Sequence, residues 1–70
     1  MPESIYKVIE LVGASDKSWK DAMDNLIEES AKTLRDIRIA EVVEMDVKID
    51  DQKIALWRVR ARLSFKYEGK

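Results

Sequence analysis

The sequence has 70 residues, and its 13 basic and 14 acidic side chains give a formal net charge of −1. A chain this short forms at most one domain, predicted to span residues 1–70, with a core near the lower size limit for independent stability. It contains no cysteine and no histidine, which excludes disulfides, thiolate metal sites and the commonest general base. Oligomerisation is therefore expected to supply the missing stability.

The charge balance also limits the classes of partner. With no net positive charge, the chain is not expected to be drawn to nucleic acid or to anionic lipid. The N-terminal residues show no secretory signal pattern, and no apolar run reaches the ~20 residues of a membrane span. The sequence therefore predicts a cytoplasmic protein with no membrane partner.

A strand and a helix are predicted in the first half of the chain. Residues 5–12 are rich in β-branched residues and predict a strand that ends at Gly13. Ser15 is predicted to cap the following helix. Apolar residues at three- and four-residue spacing indicate an amphipathic helix of about five turns. These residues are Trp19, Ala22, Met23, Leu26, Ile27, Ala31 and Leu34.

Two strands with alternating polarity follow. Residues 37–49 place Val43, Met45, Val47 and Ile49 on one face and Glu44, Asp46, Lys48 and Asp50 on the other. After a turn cluster at 50–53, the last strand has an apolar face of Trp57, Val59, Ala61, Leu63, Phe65 and Tyr67. Its other face carries Arg58, Arg60, Arg62, Ser64 and Lys66. A register with Ile49 opposite Ala55 aligns the apolar faces, and it sets Asp46 against Arg58 and Glu44 against Arg60.

The order β-α-β-β predicts an α+β fold. The last strand fits between the first two, which gives a three-stranded antiparallel sheet in the order 1-3-2 with the helix on one face. One helix cannot cover strands of this length, so part of the sheet is expected to face another copy or water. Trp57 and Phe65 are the predicted assembly contacts.

The charged strand faces allow two interpretations. Glu44 and Asp46 opposite the arginines favour a cross-strand ion ladder. The alternative is a calcium or magnesium site that uses Glu44, Asp46 and Asp50, with Asp51 nearby, although no EF-hand spacing is present. The arginine stripe could also serve a β-ribbon nucleic-acid binder, which the acidic balance disfavours.

Nucleophilic catalysis has no support, because no serine can have a histidine partner and Gly13 alone makes no phosphate-binding loop. The chain is therefore not predicted to be an enzyme. Trp19 and Trp57 could stack on a planar ligand, but both lie in apolar series, and a place in the core or an interface is favoured.

Several segments resemble the dodecin family in residue type and spacing. They are YKVIELVGAS at residues 6–15, SW at 18–19, KTLRDI at 32–37, AEV at 40–42 and the stretch 59–65. The resemblance covers nearly the whole chain. It implies a subunit whose sheet curls around its helix and a hollow homododecamer. It also implies binding of flavins such as FMN or riboflavin between aromatic rings at subunit contacts, and some members bind coenzyme A.

The resemblance maps the flavin site of the family to four positions. Ile39 stands where the family has a stacking tryptophan, and Arg58 stands where a glutamine bonds the ring. Glu44 matches the acidic residue at the ribityl chain, and Glu41 matches a family glutamate. We expect weak or lost flavin affinity and a closer likeness to a branch proposed to bind calcium. The predicted function is a non-catalytic homododecameric shell that stores a small ligand, and the alternative is a calcium- or metal-binding assembly.

Overall fold

The sheet and helix follow the predicted order. The computed structural model describes residues 5–66 and contains β1 (Tyr6–Ser15), α1 (Trp19–Ser30), β2 (Ile37–Asp50) and β3 (Lys53–Lys66). The three strands form one antiparallel sheet in the order β1-β3-β2. This confirms the α+β class and the β-α-β-β order. Within the described residues, no helix is long and apolar enough to cross a membrane.

Strand β1 does not end at Gly13, as the sequence predicted, but continues to Ser15. The φ angle of Gly13 is not positive, so the backbone conformation does not require glycine. Glycine is required here because there is no space for a side chain. A Cβ atom there would lie 2.5 Å from the Ala22 carbonyl oxygen and 2.8 Å from the Leu26 Cβ. Gly13 therefore marks the point where α1 packs directly on the backbone of β1.

The helix cap is Ser18, and the prediction of Ser15 was wrong. The Ser18 hydroxyl accepts a hydrogen bond from the Asp21 backbone N–H at 2.9 Å. Ser15 is the last residue of β1 and lies four residues before the start of α1, so its hydroxyl cannot cap the backbone N–H groups of the first helical turn. Its hydroxyl accepts from the Lys17 N–H at 2.9 Å and donates to Asp21 Oδ2 at 2.7 Å, which fixes the connection between strand and helix.

The helix has 12 residues and is shorter than the predicted five turns. The backbone N–H groups of Thr33 and Leu34 both donate to the Ser30 carbonyl oxygen, at 3.1 and 2.8 Å, so the chain turns away after Ser30. Leu34 nevertheless packs against the core from this turn. Its apolar spacing therefore extends beyond the helix, which explains the overestimated length.

The predicted register is correct in the middle of the hairpin and wrong at its end. Asp46 lies opposite Arg58 and Glu44 opposite Arg60, as predicted. Ile49 pairs with Ile54 and not with Ala55. The two-residue turn between Asp50 and Lys53 sets a register that is shifted by one residue from the register that aligns the apolar faces. Ala55 is left unpaired as a β-bulge, and beyond it the apolar faces are aligned. Two further register shifts leave Arg38 and Val43 as extra residues in β2.

The core of the subunit lies between α1 and the centre of the sheet. Its fully buried apolar residues are Ala22, Leu26, Val59, Ala61 and Leu63. Of the predicted apolar face of β3, Trp57 and Phe65 are half-buried and Tyr67 lies outside the described residues. Several apolar residues of β2 remain exposed, by 40% at Val43 and 54% at Ile49, because α1 packs on β1 and β3, whereas Val47 is half-buried. The sheet is therefore covered by the helix over only part of its area.

Candidate ligand-binding face

The candidate site is the face of the sheet opposite α1, called here the polar face. Its centre is the row Arg58, Arg60 and Arg62 on β3. Residues directly opposite in antiparallel strands share a face. The register therefore adds Asp46, Glu44 and Glu41 from β2 and Ala14, Val12 and Glu10 from β1. The bulge at Val43 is what places Glu41 on the same face as Glu44, although the two are three residues apart.

Asp46 and Arg58 form a bidentate ion pair across β2 and β3. Arg58 Nε donates to Asp46 Oδ1 at 2.7 Å, and Arg58 Nη2 donates to Asp46 Oδ2 at 2.9 Å. These hydrogen bonds hold the pKa of the Asp46 carboxyl below its usual range and raise the pKa of Arg58. Both side chains remain about half exposed, so a ligand can reach the pair.

The other two arginines share acidic partners. Arg60 pairs with Glu44 on β2, and its Nη1 lies 3.6 Å from Glu10 Oε2 on β1. Arg62 Nε donates to Glu10 Oε1 at 3.4 Å. The ion ladder predicted for two strands therefore extends over all three. Glu10 was not predicted as a site residue. The strand order 1-3-2 places β1 beside β3, and the alternation of side chains along β1 could have put Glu10 on the same face as the arginines.

The residues predicted to bind metal are not gathered in one subunit. Within residues 5–66, no group of three or more Asp, Glu, His or Cys side chains is placed to hold a metal ion. Asp50 lies four residues from Asp46 along β2, a distance of ~13 Å in an extended strand. Asp50 Oδ2 lies 3.9 Å from the Lys48 ammonium, and Asp51 is in the hairpin turn. Glu44 and Asp46 each pair with an arginine.

The predicted flavin positions also lie apart. Ile39 is 61% exposed and lies opposite Ser64. Arg58 is six residues from Ser64 along β3, so Ile39 and Arg58 are separated by ~20 Å within one chain. Glu41 lies between them, opposite Arg62. A single planar ring cannot contact both ends of this row, so a ligand that touches Ile39 and Arg58 together requires two subunits.

The rings of Trp19 and Trp57 pack against each other, and their planes are not parallel. Their ring centroids are 4.8 Å apart and the planes meet at 84°, an edge-to-face arrangement. Trp19 Nε1 donates to the Asp46 carbonyl oxygen at 3.1 Å. The indoles therefore pack against each other within the subunit, but Trp19 is 37% exposed and lies outside the core that the sequence favoured. The hydrogen bond to Asp46 was not foreseen, and no sequence pattern indicated it.

Two grooves accompany these features. One of about 280 Å³ lies on the polar face and is lined by Val12, Asp46, Arg58 and Arg60. Another of about 270 Å³ runs between β1 and α1 and is lined by Leu11, Val12, Gly13, Ala14, Asn25, Leu26, Glu29 and Ser30. The first groove combines an ion pair, a guanidinium and an apolar wall, which suits a small charged or polar ligand.

The dodecin family model matches residues 5–68. The chain belongs to the dodecin family. Among solved structures, the dodecin of Streptomyces coelicolor matches over the full length of both chains, with a TM-score of 0.94 and 31% identity. The dodecin of Streptomyces davaonensis matches over 97% of this chain and 100% of its own, with a TM-score of 0.91 and 29% identity.

A calcium dodecin of Mycobacterium tuberculosis is also similar to this dodecin. It is 35% identical over 63 residues, which cover 90% of this chain and 89% of the relative. Its crystal structure, described as that of a calcium-chelating antigen with a calcium-binding site, matches over 96% of each chain with a TM-score of 0.83. Sequence identity to the calcium dodecin is thus slightly above that to the two Streptomyces dodecins.

Proposed function

We propose that this dodecin is a single-domain, non-catalytic subunit of a homododecameric shell that binds and stores a small ligand. We further propose that the ligand is a divalent cation such as calcium, and that flavin affinity is weak or lost. The observation that carries the flavin clause is the bidentate Asp46–Arg58 pair on the polar face, at the position where the family resemblance places the contact with the flavin ring. The cation clause is carried by the carboxylates of β2 together with the similarity to calcium dodecin.

Two side chains disfavour the binding of flavin. Ile39 offers apolar contact but no aromatic ring, and the loss of one base-stacking aromatic costs on the order of 1–3 kcal/mol. Arg58 is already committed to two charge-assisted hydrogen bonds with Asp46. A neutral ring edge would have to displace the carboxylate from this guanidinium, which is an unfavourable exchange.

The chemistry of the β2 side chains and the similarity to relatives favour a cation as the ligand. Carboxylate oxygens are the ligands that calcium prefers, and Glu44, Asp46 and Asp50 lie along one strand face. Asp50 lies outside the arginine pairs, whereas Glu44 and Asp46 would have to exchange an arginine for the cation. One subunit does not bring three of these groups together, so the site requires carboxylates from neighbouring copies. A symmetric assembly repeats each side chain around its axes, which can gather one carboxylate per chain into a ring. The similarity to calcium dodecin supports this interpretation.

The first experiment measures assembly and cation binding together. Native mass spectrometry of the purified protein is expected to give a twelve-subunit mass. Calcium is expected to raise the thermal midpoint and a chelator to lower it, because a ligand bound only to the folded assembly stabilises it. Asp50→Asn should weaken the calcium effect, whereas Asp16→Asn, at an exposed position before α1, should not. A thermal midpoint that neither calcium nor a chelator changes would contradict the cation proposal.

The second experiment tests the flavin clause. Riboflavin and FMN fluorescence should show no quenching by the wild-type protein at low micromolar concentration. The double variant Ile39→Trp with Arg58→Gln is expected to restore quenching, because it supplies both the ring and the neutral hydrogen-bonding group. Ile39→Leu with Arg58→Gln is the matched control without an aromatic. Strong quenching by the wild-type protein would refute the clause.

A further inference from the structure

Two elements hold Asp46, one through its side chain and one through its backbone. Its carboxylate receives both N–H groups of Arg58 on the polar face. Its carbonyl oxygen accepts a hydrogen bond from the Trp19 indole N–H at 3.1 Å. Asp46 is therefore the residue at which the candidate ligand face and the helix meet.

The Trp19 bond spans elements that otherwise pack apart. Trp19 is the first residue of α1, and the body of this helix packs on β1 and β3. Asp46 lies on β2, at the far edge of the sheet. Among the hydrogen bonds of residues 5–66, the one from Trp19 to Asp46 is the one that joins α1 to β2. Loss of its donor would leave β2 tied mainly to its neighbour β3.

The position of the Trp19 ring is itself fixed by the strand that carries Arg58. Trp57 directly precedes Arg58 in β3 and lies opposite Val47, the residue after Asp46. Trp57 packs edge-to-face with Trp19 at 4.8 Å. An edge-to-face aromatic pair restrains the orientation of both rings. The indole N–H is thereby aimed at Asp46 by a residue adjacent to the guanidinium that binds the Asp46 carboxylate.

We propose that Trp19 is a positioning residue for the Asp46–Arg58 pair, and that it couples the state of the polar face to the start of α1. The hydrogen bond from the Trp19 indole N–H fixes the β2 backbone in the position where the Asp46 carboxylate accepts from both N–H groups of Arg58. A ligand or substitution that releases Asp46 from Arg58 then changes the surroundings of the Trp19 indole. The link to a ligand rests on the proposed function, whereas the positioning is a property of the free protein.

The first test separates the hydrogen bond from simple packing. Trp19→Phe keeps an aromatic ring and removes the donor. The matched control is Trp57→Phe, which keeps an aromatic ring against Trp19 and leaves the donor to Asp46 in place. The readouts are the pKa of Asp46, from carboxyl carbon chemical shifts, and the exchange rate of the Arg58 Nε–H. Arg60, Glu44 and Lys48, the charged groups that neighbour Asp46 on the polar face, are retained in both variants.

In Trp19→Phe, we expect the Asp46 pKa to rise towards the usual aspartate value and the Arg58 Nε–H to exchange several-fold faster. Trp57→Phe should stay nearer to the wild-type protein in both readouts. If Trp19→Phe fails to fold, β-(3-benzothienyl)alanine at position 19 keeps the bicyclic shape without the N–H and gives the same comparison. The proposal would be overturned if the position-19 variant keeps the wild-type Asp46 pKa and Arg58 Nε–H exchange rate. Equal changes in the position-19 and position-57 variants would also overturn it.

The second test measures the coupling without a ligand. The chain has two tryptophans, so Trp19 is the sole indole in a Trp57→Phe background. Arg58→Gln in that background should shift the Trp19 emission maximum, and Arg62→Gln, on the same face but paired with Glu10, should not. Emission that is insensitive to Arg58→Gln would refute the coupling. Calcium stabilisation is measured separately, so failure of the proposed function leaves this result interpretable.

Discussion

At the scale of single residues, Gly13 is the position where the helix comes closest to the sheet. We expect Gly13→Ala to lower the thermal midpoint markedly, because the new Cβ would meet the Ala22 carbonyl oxygen at 2.5 Å, a backbone atom that cannot rotate away. Overpacking of this kind costs about 1–3 kcal/mol. Differential scanning calorimetry at fixed protein concentration measures the change.

Ala14→Ser is the control for Gly13→Ala, because Ala14 is an exposed neighbour in the same strand. A surface change of this size is expected to alter stability by less than about 0.5 kcal/mol. Equal midpoints for the Gly13→Ala variant and the wild-type protein would show that α1 can move away from β1 without loss.

The Asp46–Arg58 pair predicts a pH dependence. The Asp46 carboxyl has a lowered pKa in the folded state, because Arg58 donates two hydrogen bonds to its charged form. The ion pair therefore contributes to stability at neutral pH. This contribution begins to be lost near the pKa of an unfolded-state aspartate, about 4, and disappears as the pH falls through the lower pKa of folded Asp46. The difference in thermal midpoint between the wild-type protein and Arg58→Gln should shrink over that range.

Asp46→Asn provides the control, since it removes the titrating group and should lose the corresponding slope. The effect should also weaken in high salt, because both side chains are about half exposed. A wild-type advantage over Arg58→Gln that does not shrink at all as the pH is lowered would assign it to packing of the arginine stem and not to the ion pair.

Individual site residues differed in how far the sequence could predict them. Strand alternation and the need to align two apolar faces were enough to pair Asp46 with Arg58 and Glu44 with Arg60. Glu10 required the register of β1, for which no turn provides a reference. The Trp19 contact depends on the reach of one side chain from α1 to β2, which periodicity does not encode.

At the scale of elements, the β2–β3 hairpin contains a removable strain. Asp51 and Gln52 both have positive φ, at 52° and 65°, a region that costs a non-glycine residue about 1–2 kcal/mol. We expect Gln52→Gly to raise the thermal midpoint, because glycine adopts this conformation freely in a two-residue hairpin turn. Part of the gain is offset by the larger entropy of the unfolded chain.

The control for the turn is Gln52→Ala, which removes the same polar group but keeps the Cβ. It should leave the thermal midpoint unchanged or slightly lower. If both substitutions stabilise the protein equally, the glutamine side chain and not the backbone conformation is the source of the strain.

Element types were predictable from periodicity, whereas the places where elements shift were not. The alternation of β2 and β3 correctly indicated two strands and their common apolar face. The bulge at Ala55 arises because the turn and the apolar faces demand registers that differ by one residue, and a sequence pattern reveals each demand but not how the conflict is resolved. The end of α1 was similarly hidden, because Leu34 keeps helical spacing while packing from a turn.

At the scale of the whole molecule, the isolated subunit exposes more surface than its mass requires. Its accessible surface is 5530 Å², whereas a compact monomer of 8.1 kDa exposes about 4500 Å². The subunit is 55 Å long, and large apolar residues of β2 are roughly half exposed. This surface is what we expect neighbouring copies to cover.

We therefore predict that Met45→Lys dissociates the assembly. Met45 is 47% exposed in the subunit and lies opposite Val59, on the side of the sheet that faces α1. A buried lysine at a subunit contact would be unpaired, which is costly. Size-exclusion chromatography with light scattering measures the mass, and Glu28→Lys on the exposed side of α1 is the control. A Met45→Lys variant that keeps the wild-type mass would exclude this surface from the interface.

The length, the lack of cysteine and the excess of sheet over helix predict an assembly, and membership of the dodecin family supports it. How Ile39 and Arg58 would share one site was not predictable, because they are ~20 Å apart in one chain. Sequence reasoning places residues along strands, and a site shared by copies depends on how rigid subunits are arranged around each other.

The bulges of β2 also bear on aggregation. This strand is an edge of the sheet, and a flat edge of 14 residues would offer an open row of backbone groups to any other extended chain. The extra residues Arg38 and Val43 interrupt that row at two places and increase the local twist. A strand that bends at fixed points can match a neighbour of the same shape but not an arbitrary straight one. In the proposed shell, the irregularities that disturbed the register would therefore favour closed particles over fibres.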